Sequence, residues 1–476
     1  MEEKLKPYPY QEEGIEKILA LKRCINGDEM GLGKTAQSIV AVERARATPC
    51  LVVCPAALKV NWEREVRRFT HLRPLILTDA NKATFPYFIG TMDMYDVCIV
   101  NFESLKKYFV VHAVKPYRLK DIVFQNVIKQ FKSVIIDESA RCKDPGTLQT
   151  RLCMGICSGK EYVVELTGTP IINDPKDIAT QICILGKIGE FGGYKEFMLR
   201  YGDGKHLREL HNAIHEKCYF RRSKKLVLKD LPDLTRTKVV TPLSNQSEYD
   251  ICERDLKSWL VEYKKLSEGE AKRKMRKEAL VRFMNLRKLA GQGKVEAAIQ
   301  FIEDTTEPVV VFVEHHDVVD ALCDAIPDAV CVTGRQDQKQ KQYAIDAFQE
   351  GKRRVIVCSI KAAGVGLTLT ASSNVVFVNL PWHMADLSQC EARCWRNGQK
   401  NAVNSWVLIG ENTIDEYLFN LIMNKGSVAS KITGAGDDAL KDEKYFEELA
   451  DALLSPLPAG VTDERPDADA SGTVTQ

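Results

Sequence analysis

The sequence predicts an α/β protein: two lobes in tandem, each a parallel sheet flanked by helices, with helical protrusions between and on the lobes. Three observations predict this. Short, fully apolar runs bounded by polar turns recur over residues 24–170, and such runs suit strands buried on both faces. A second set occupies residues 308–378. Between them, residues 246–290 read as long, highly charged helix, which has no place inside a buried sheet. A chain of 476 residues is long enough for two or three domains. The expected division is 1–172 for the first lobe, 173–230 for its helical protrusion, 231–293 for a basic helical protrusion and linker, 294–435 for the second lobe, and 436–476 for an acidic, disordered tail.

In chain order, Pro7-Tyr8-Pro9-Tyr10-Gln11 leads into a helix bearing Ile15, Ile18 and Leu19 on one face. Gln11 and a neighbouring Tyr ring either meet an adenine or simply pack the helix entry. Asp28-Glu29-Met30-Gly31-Leu32-Gly33-Lys34-Thr35 then forms a glycine-bearing loop opening the helix that starts at Ala36. Gly31 and Gly33 let backbone N–H groups face a phosphate, and the helix N-terminus adds partial positive charge. Lys34 supplies a point charge for outer phosphates, and the Thr35 hydroxyl suits Mg²⁺. Asp28 stands where the longer GxxxxGK[ST] pattern has its first glycine.

Strands are expected at Leu51–Pro55, Asp96–Asn101, Phe131–Ile136 and Tyr162–Leu166. Ligands bind at the C-terminal edges of such strands, which places Asn101, Asp137-Glu138 and Thr167–Pro170 at a common edge. Two carboxylates directly after a strand, roughly 100 residues beyond a phosphate loop, suit phosphoryl transfer to water. Asp137 would share the Mg²⁺ with Thr35, and Glu138 would orient and deprotonate the attacking water. The basic run Lys272–Lys277 is either a solvated helix face or a phosphate contact. Gly291-Gln292-Gly293 reads as a hinge.

The second set of strands is Pro308–Val313, Ala329–Val332, Arg354–Cys358 and Val375–Val378, separated by helices at Asp317–Ala325, Gln336–Gln349 and Asp386–Trp395. No phosphate loop occurs there. Arg393 and Arg396, three apart and so on one helical face, fit an arginine-finger arrangement aimed at the other lobe.

Composition bounds the setting. The net charge of +2 is split: residues 436–476 hold eleven Asp/Glu and three Lys/Arg, leaving a basic bias on the rest that suits a polyanionic partner. No apolar run reaches membrane-spanning length and no signal peptide is expected at the charged N-terminus. The fifteen cysteines are scattered, with no second pair at zinc spacing, and read as buried thiols of an intracellular protein.

These motifs together resemble the Swi/Snf family of helicase-like ATPases. The resemblance covers about residues 5–430 and is carried in order by Tyr10-Gln11, the DEMGLGKT loop, Val53-Cys54-Pro55 with Trp62 and Glu65, Asn101-Phe102-Glu103 and Asp137-Glu138-Ser139. It continues through Thr167-Gly168-Thr169-Pro170, Arg221-Arg222, Leu231-Pro232-Asp233, Gly364–Thr368 and Gln389–Gln399. Phe312-Val313-Glu314-His315-His316 and the lean stretch 332–360 look most like the annealing-helicase (HARP-type) branch, in a compact layout similar to phage or bacterial members.

The resemblance implies two RecA-like lobes with ATP and Mg²⁺ between them. It implies Gln11, Gly31, Gly33, Lys34, Thr35 and Gly366 at the nucleotide, and Lys34, Asp137, Glu138, Arg393 and Arg396 in catalysis. Asn101, Thr169, Lys361, Thr368 and Trp382 would lie along double-stranded or branched DNA. A monomer is implied, in a bacterial or phage-infected cytoplasm or a eukaryotic nucleus, with no membrane. Three positions depart from the family's pattern: Ala140 after the acidic pair, Cys394-Trp395 and Asn397 around Arg396, and an entry ahead of Gln11 that is two residues longer.

The function expected is DNA-stimulated ATP hydrolysis driving translocation on duplex DNA, for fork remodelling or annealing. Strand separation and a nucleotide-switched scaffold are the alternatives. The sequence shows no evident wedge hairpin, and the acidic tail would dock a protein partner or shield the basic face.

Overall fold

The computed structural model describes residues 4–115, 117–168, 175–267, 269–363, 367–423 and 443–455. In lobe 1 the strands are β1 (Arg23–Asn26), β2 (Cys50–Cys54), β3 (Pro74–Ile76), β4 (Val97–Asn101), the short pair β5 (Val110–His112) and β6 (Val123–Phe124), then β7 (Ser133–Asp137), β8 (Tyr162–Leu166) and β9 (Tyr219–Phe220). All but β5 and β6 join one sheet in the order β3-β4-β2-β7-β8-β1-β9, parallel throughout. Val52, Val53, Ile135, Ile136, Val163 and Val164 are buried on the two sides of this sheet, in separate apolar clusters. Helices cover both faces, so continuous apolar runs were needed.

Lobe 2 repeats the design with β10 (Leu234–Thr241), β11 (Val309–Val313), β12 (Ala329–Val332), β13 (Val355–Ser359), β14 (Asn374–Phe377) and β15 (Val403–Gly410), in the parallel order β10-β15-β14-β11-β13-β12. The chain is thus an α/β protein of two parallel sheets in tandem.

Several expectations are corrected. The stretch 231–293, read as helix and linker, begins with β10, an eight-residue edge strand of the second sheet. Its sequence Leu-Thr-Arg-Thr-Lys-Val-Val-Thr is strongly β-branched, but its half-exposed position lets lysine and arginine mask the pattern. The charged helix is two antiparallel helices, Gln246–Lys265 and Glu270–Gly293. Gly291 and Gly293 are no hinge: they lie in the second helix, where an added Cβ would come 2.4 Å from Asn379 and 2.0 Å from Asn245. They permit close packing onto lobe 2.

Residues 436–476, expected to be disordered, contain a helix at Glu443–Leu454. Tyr445, Phe446, Leu449, Ala450 and Leu453 are buried in the lobe 2 core. Apolar residues at helical spacing outweigh the acidic composition there. Finally, β5 and β6 form the two-stranded antiparallel pair that the sequence did not announce.

Candidate active site

The phosphate loop connects the C-terminal end of β1 to the helix Lys34–Arg44. Gly31 and Gly33 have φ of 89° and 74°, the left-handed region where only glycine sits without strain. A Cβ on Gly33 would come 2.1 Å from the Gln11 amide nitrogen. Gln11 itself braces the loop: its amide donates to the Leu32 carbonyl at 3.3 Å, and its carbonyl accepts from the Tyr8 backbone N–H at 2.9 Å. Lys34 donates to the carbonyls of Asp28 at 2.7 Å and Glu29 at 3.4 Å. Burial pulls its ammonium below the ordinary lysine range, while Glu138, Asp28 and Asp137 oppose that shift.

Asp28 organises the loop from within. It is fully buried and accepts from the Arg222 backbone N–H at 2.9 Å, from the Arg222 guanidinium, and from the Gln37 amide at 3.1 Å. Arg222 also donates to Gln37 at 3.0 Å and to the Tyr10 carbonyl. Nothing in the local sequence beyond the missing glycine announces this network. Its partners come from three distant segments.

At the end of β7, Asp137 accepts from the Trp62 indole N–H at 2.8 Å and from the Glu138 backbone N–H at 2.9 Å. Burial first, then the neighbouring Glu138 charge, pushes Asp137 up to about 6. Glu138 adopts φ 51°, ψ 49°; a non-glycine residue held there marks a geometry imposed by its surroundings.

The arginines arrive from lobe 2 on a different element than expected. The helix spans Met384–Glu391 and ends before them. Arg393 and Arg396 lie in the tight turns that follow, fixed by Arg393 N–H to the Cys390 carbonyl at 3.0 Å and Leu369 N–H to the Arg393 carbonyl at 2.9 Å. Convergence therefore comes from turn geometry, not from one helical face. Burial lowers Arg393 to about 10, with repulsion from Arg396 adding to it. Its Nε is buried with no hydrogen-bond partner. Arg396 donates to the Leu367 carbonyl and to the Thr368 hydroxyl, each at 2.9 Å.

One cleft of about 450 Å³ is lined by Tyr10, Gln11, Gly31, Gly33, Lys34, Thr35, Asp137 and Glu138 from lobe 1 and by Thr368, Arg393 and Arg396 from lobe 2. The residues fit a polyphosphate with a hard cation. The loop glycines leave a cradle that side chains would fill, and a buried guanidinium nitrogen has no partner. Two adjacent carboxylates and a hydroxyl offer hard oxygen donors beside it.

The other expected residues are dispersed. Asn101 ends β4, half-buried, with its amide donating to Glu103 at 2.8 Å. Lys361 is exposed in the short helix Ile360–Ala363 that follows β13. Thr368 turns into the cleft toward Arg396. Trp382, expected to face DNA, is 1% exposed in the lobe 2 core, with Arg287 stacked 3.8 Å above its ring. Its large apolar ring finds more burial in the core than at a polar edge, so it offers DNA no surface. Thr169 and Gly366 lie outside the described residues. No described helix is long and apolar enough to cross a membrane.

Comparison with known proteins locates the chain among its relatives. Residues 10–294 match the SNF2-related domain and residues 293–398 the helicase conserved C-terminal domain. The chain is 29% identical to the Caenorhabditis elegans SWI/SNF-related matrix-associated actin-dependent regulator of chromatin subfamily A-like protein 1 homolog, over 94% of this chain and 64% of that protein. It is 26% identical to the human DNA annealing helicase and endonuclease ZRANB3, over 94% of this chain and 42% of that protein. It therefore spans less than two thirds of these relatives. The Sulfolobus solfataricus SWI2/SNF2 ATPase core in complex with dsDNA aligns over 96% of this chain and 100% of that one, at 24% identity and a TM-score of 0.41. The SNF2-related match alone extends over more than half of the sequence, and on that ground the chain belongs to the SNF2-related family.

Proposed function

We propose that the chain hydrolyses ATP in the cleft between its lobes, under the control of DNA, and converts the opening and closing of that cleft into movement along a duplex. The observation that carries this reading is that groups from both lobes line one cleft. Gly31 and Gly33 present backbone N–H groups to the phosphates. Lys34 exchanges its loop carbonyls for the outer phosphates, a charge-assisted contact in place of neutral ones. Thr35 and Asp137 would hold Mg²⁺, which when bound supplies charge neutralisation at the phosphates. Glu138 orients water and takes its proton as the oxygen attacks phosphorus. ADP leaves with the electron pair of the broken P–O bond. Arg393 and Arg396 stabilise the charge spread over the transferring group. Gln11 holds the loop shape on which these contacts depend.

A bound polyphosphate would favour closure, because its charge lies between Lys34 of lobe 1 and the mutually repelling Arg393 and Arg396 of lobe 2. Asn101 at the end of β4 and Lys361 in the short helix after β13 would supply sequence-blind contacts to DNA. With the grip alternating between lobes, each turnover would advance the protein along one strand. The name of one relative, a DNA annealing helicase and endonuclease, supports annealing as the setting, and fork or branched-DNA remodelling would use the same motor.

The test is steady-state phosphate release with no DNA, single-stranded, duplex, forked and four-way DNA. Duplex-containing DNA should stimulate the wild type, while Lys34→Ala and Glu138→Gln should lose turnover and still bind DNA. Unchanged stimulated release in both variants would refute the assignment. Strand separation has one observation in its favour: the β5–β6 pair exposes Val111 and Val123, 68% and 52% accessible. A forked-duplex unwinding assay with an annealing control separates the two outputs.

A further inference from the structure

The segment that leaves lobe 1 after β9 does more than connect. Arg222 is bound into the phosphate loop through Asp28, and two residues later the chain reaches Lys224, whose backbone N–H donates to the Glu29 carboxylate at 2.7 Å. The Lys224 side chain then crosses to lobe 2. It is 2% exposed, its ammonium donates to the backbone carbonyl of Trp395, and it lies 4.3 Å from the centre of that indole ring. Trp395 is pinned in turn by its indole N–H, which donates to the Pro232 carbonyl at 2.7 Å. The next residue is Arg396. A Cβ on Gly31 would stand 3.1 Å from the Arg396 Cβ and 3.5 Å from the Lys224 Cε. The lysine is therefore packed beside the phosphate loop and the arginine turn together.

We propose that Lys224 is a positioning residue of the hydrolysis reaction, a latch that fastens the Trp395-Arg396 turn to the phosphate loop so that Arg396 is held over Gly31. This rests on the reading that ATP is hydrolysed in the cleft. A buried ammonium hydrogen-bonded to a carbonyl and facing an aromatic ring fixes distance and orientation at once. Gly31 makes the approach possible, since a Cβ there would crowd Arg396 and stand in contact with Lys224. The contact joins two backbone segments, so it constrains the turn and not merely one rotamer.

The charged groups around Lys224 give the latch a second signature. Burial first, and then repulsion from Arg396 and Lys34, bring its ammonium down to about 7, against attraction from Glu29 and Glu391. Rising pH thus removes the charge from the free enzyme and weakens the fastening.

The experiment measures DNA-stimulated ATP hydrolysis across pH 6–9 for wild type, Lys224→Met and Lys224→Arg, with Lys34→Ala as control. Lys224→Met should lower kcat about tenfold or more with KM changed less than about threefold, because a transition-state contact is misplaced while ground-state binding persists. In the wild type, kcat/KM, which reports the free enzyme, should fall as pH rises through about 7. Lys224→Arg should keep most of kcat and lack that alkaline fall. A purely structural role would reduce the yield of folded protein without moving the kcat-to-KM split or the pH profile. Wild-type kcat and an unchanged profile in Lys224→Met overturn the proposal. If Lys224→Met does not fold, Lys224→Arg decides alone: loss of the alkaline fall supports the latch and its retention overturns it. An inactive Lys34→Ala beside a normal Lys224→Met would sink only the latch, whereas an active Lys34→Ala would sink the cleft assignment itself.

Discussion

Asp28 stands where a longer phosphate-loop pattern has glycine, and the structure gives the carboxylate a task of its own. It neutralises Arg222 inside lobe 1 and holds Gln37 against the loop. Removing one member of a buried pair leaves the other charge uncompensated, at a cost of about 3–5 kcal/mol. Asp28→Ala should therefore destabilise lobe 1 by about that much, read as a lower denaturant midpoint at unchanged slope, and an unchanged midpoint would show the pair is dispensable. Asp137 makes a pH prediction. Its folded value of about 6 exceeds the roughly 3.9 of an unfolded aspartate, so the folded state binds the proton more tightly. The stability this contributes is complete below about pH 4 and is lost as pH rises through about 6. The Tm of nucleotide-free wild type should decline relative to Asp137→Asn across that window; parallel curves would contradict the shift. At this scale the sequence was legible for residues whose chemistry is local. Lys34, Thr35, Asp137 and Glu138 stand beside their own loop or strand end. Arg222 was invisible as a partner of Asp28, because nothing local records a contact across 194 positions.

Elements were legible where burial was complete. β2, β4, β7, β8, β11 and β13 are covered on both faces and announce themselves as apolar runs. β10 is the edge of the second sheet and β15 lies just inside it, paired with β10 and β14; the polar residues of β10 and the Asn404-Ser405 step of β15 broke the signal. The arginine segment failed differently: its composition allows helix through Trp395, but the buried Glu391 is tied to Arg236 of β10 at 2.7 Å, and the chain turns directly after it. Among the misread elements, the helix Glu443–Leu454 gives the clearest test. Phe446 is fully buried and meets Tyr263 and Phe283 edge-on at 5.3 and 5.9 Å. Phe446→Ala should cost about 3–5 kcal/mol, read as a lower unfolding midpoint for lobe 2. A substitution in a disordered tail would cost nothing, and that result would restore the original expectation.

For the molecule as a whole, the proposed function divides the labour between a lobe that would bind phosphate and a lobe that would complete the site, since both line one cleft. The linker from Arg221 to Arg236 touches both: Asp28 and Glu29 at one end, Trp395 and Glu391 at the other. It carries no motif beyond Arg221-Arg222 and Leu231-Pro232-Asp233, yet it is bonded to residues of both lobes beside the cleft. The central claim is that neither lobe hydrolyses ATP without the other. The most direct measurement compares duplex-stimulated phosphate release and equilibrium ATP binding in wild type and Arg396→Ala. The account predicts release reduced about a thousandfold or more, as for loss of an arginine finger, with ATP still bound by lobe 1. Release at the wild-type rate from Arg396→Ala would contradict it.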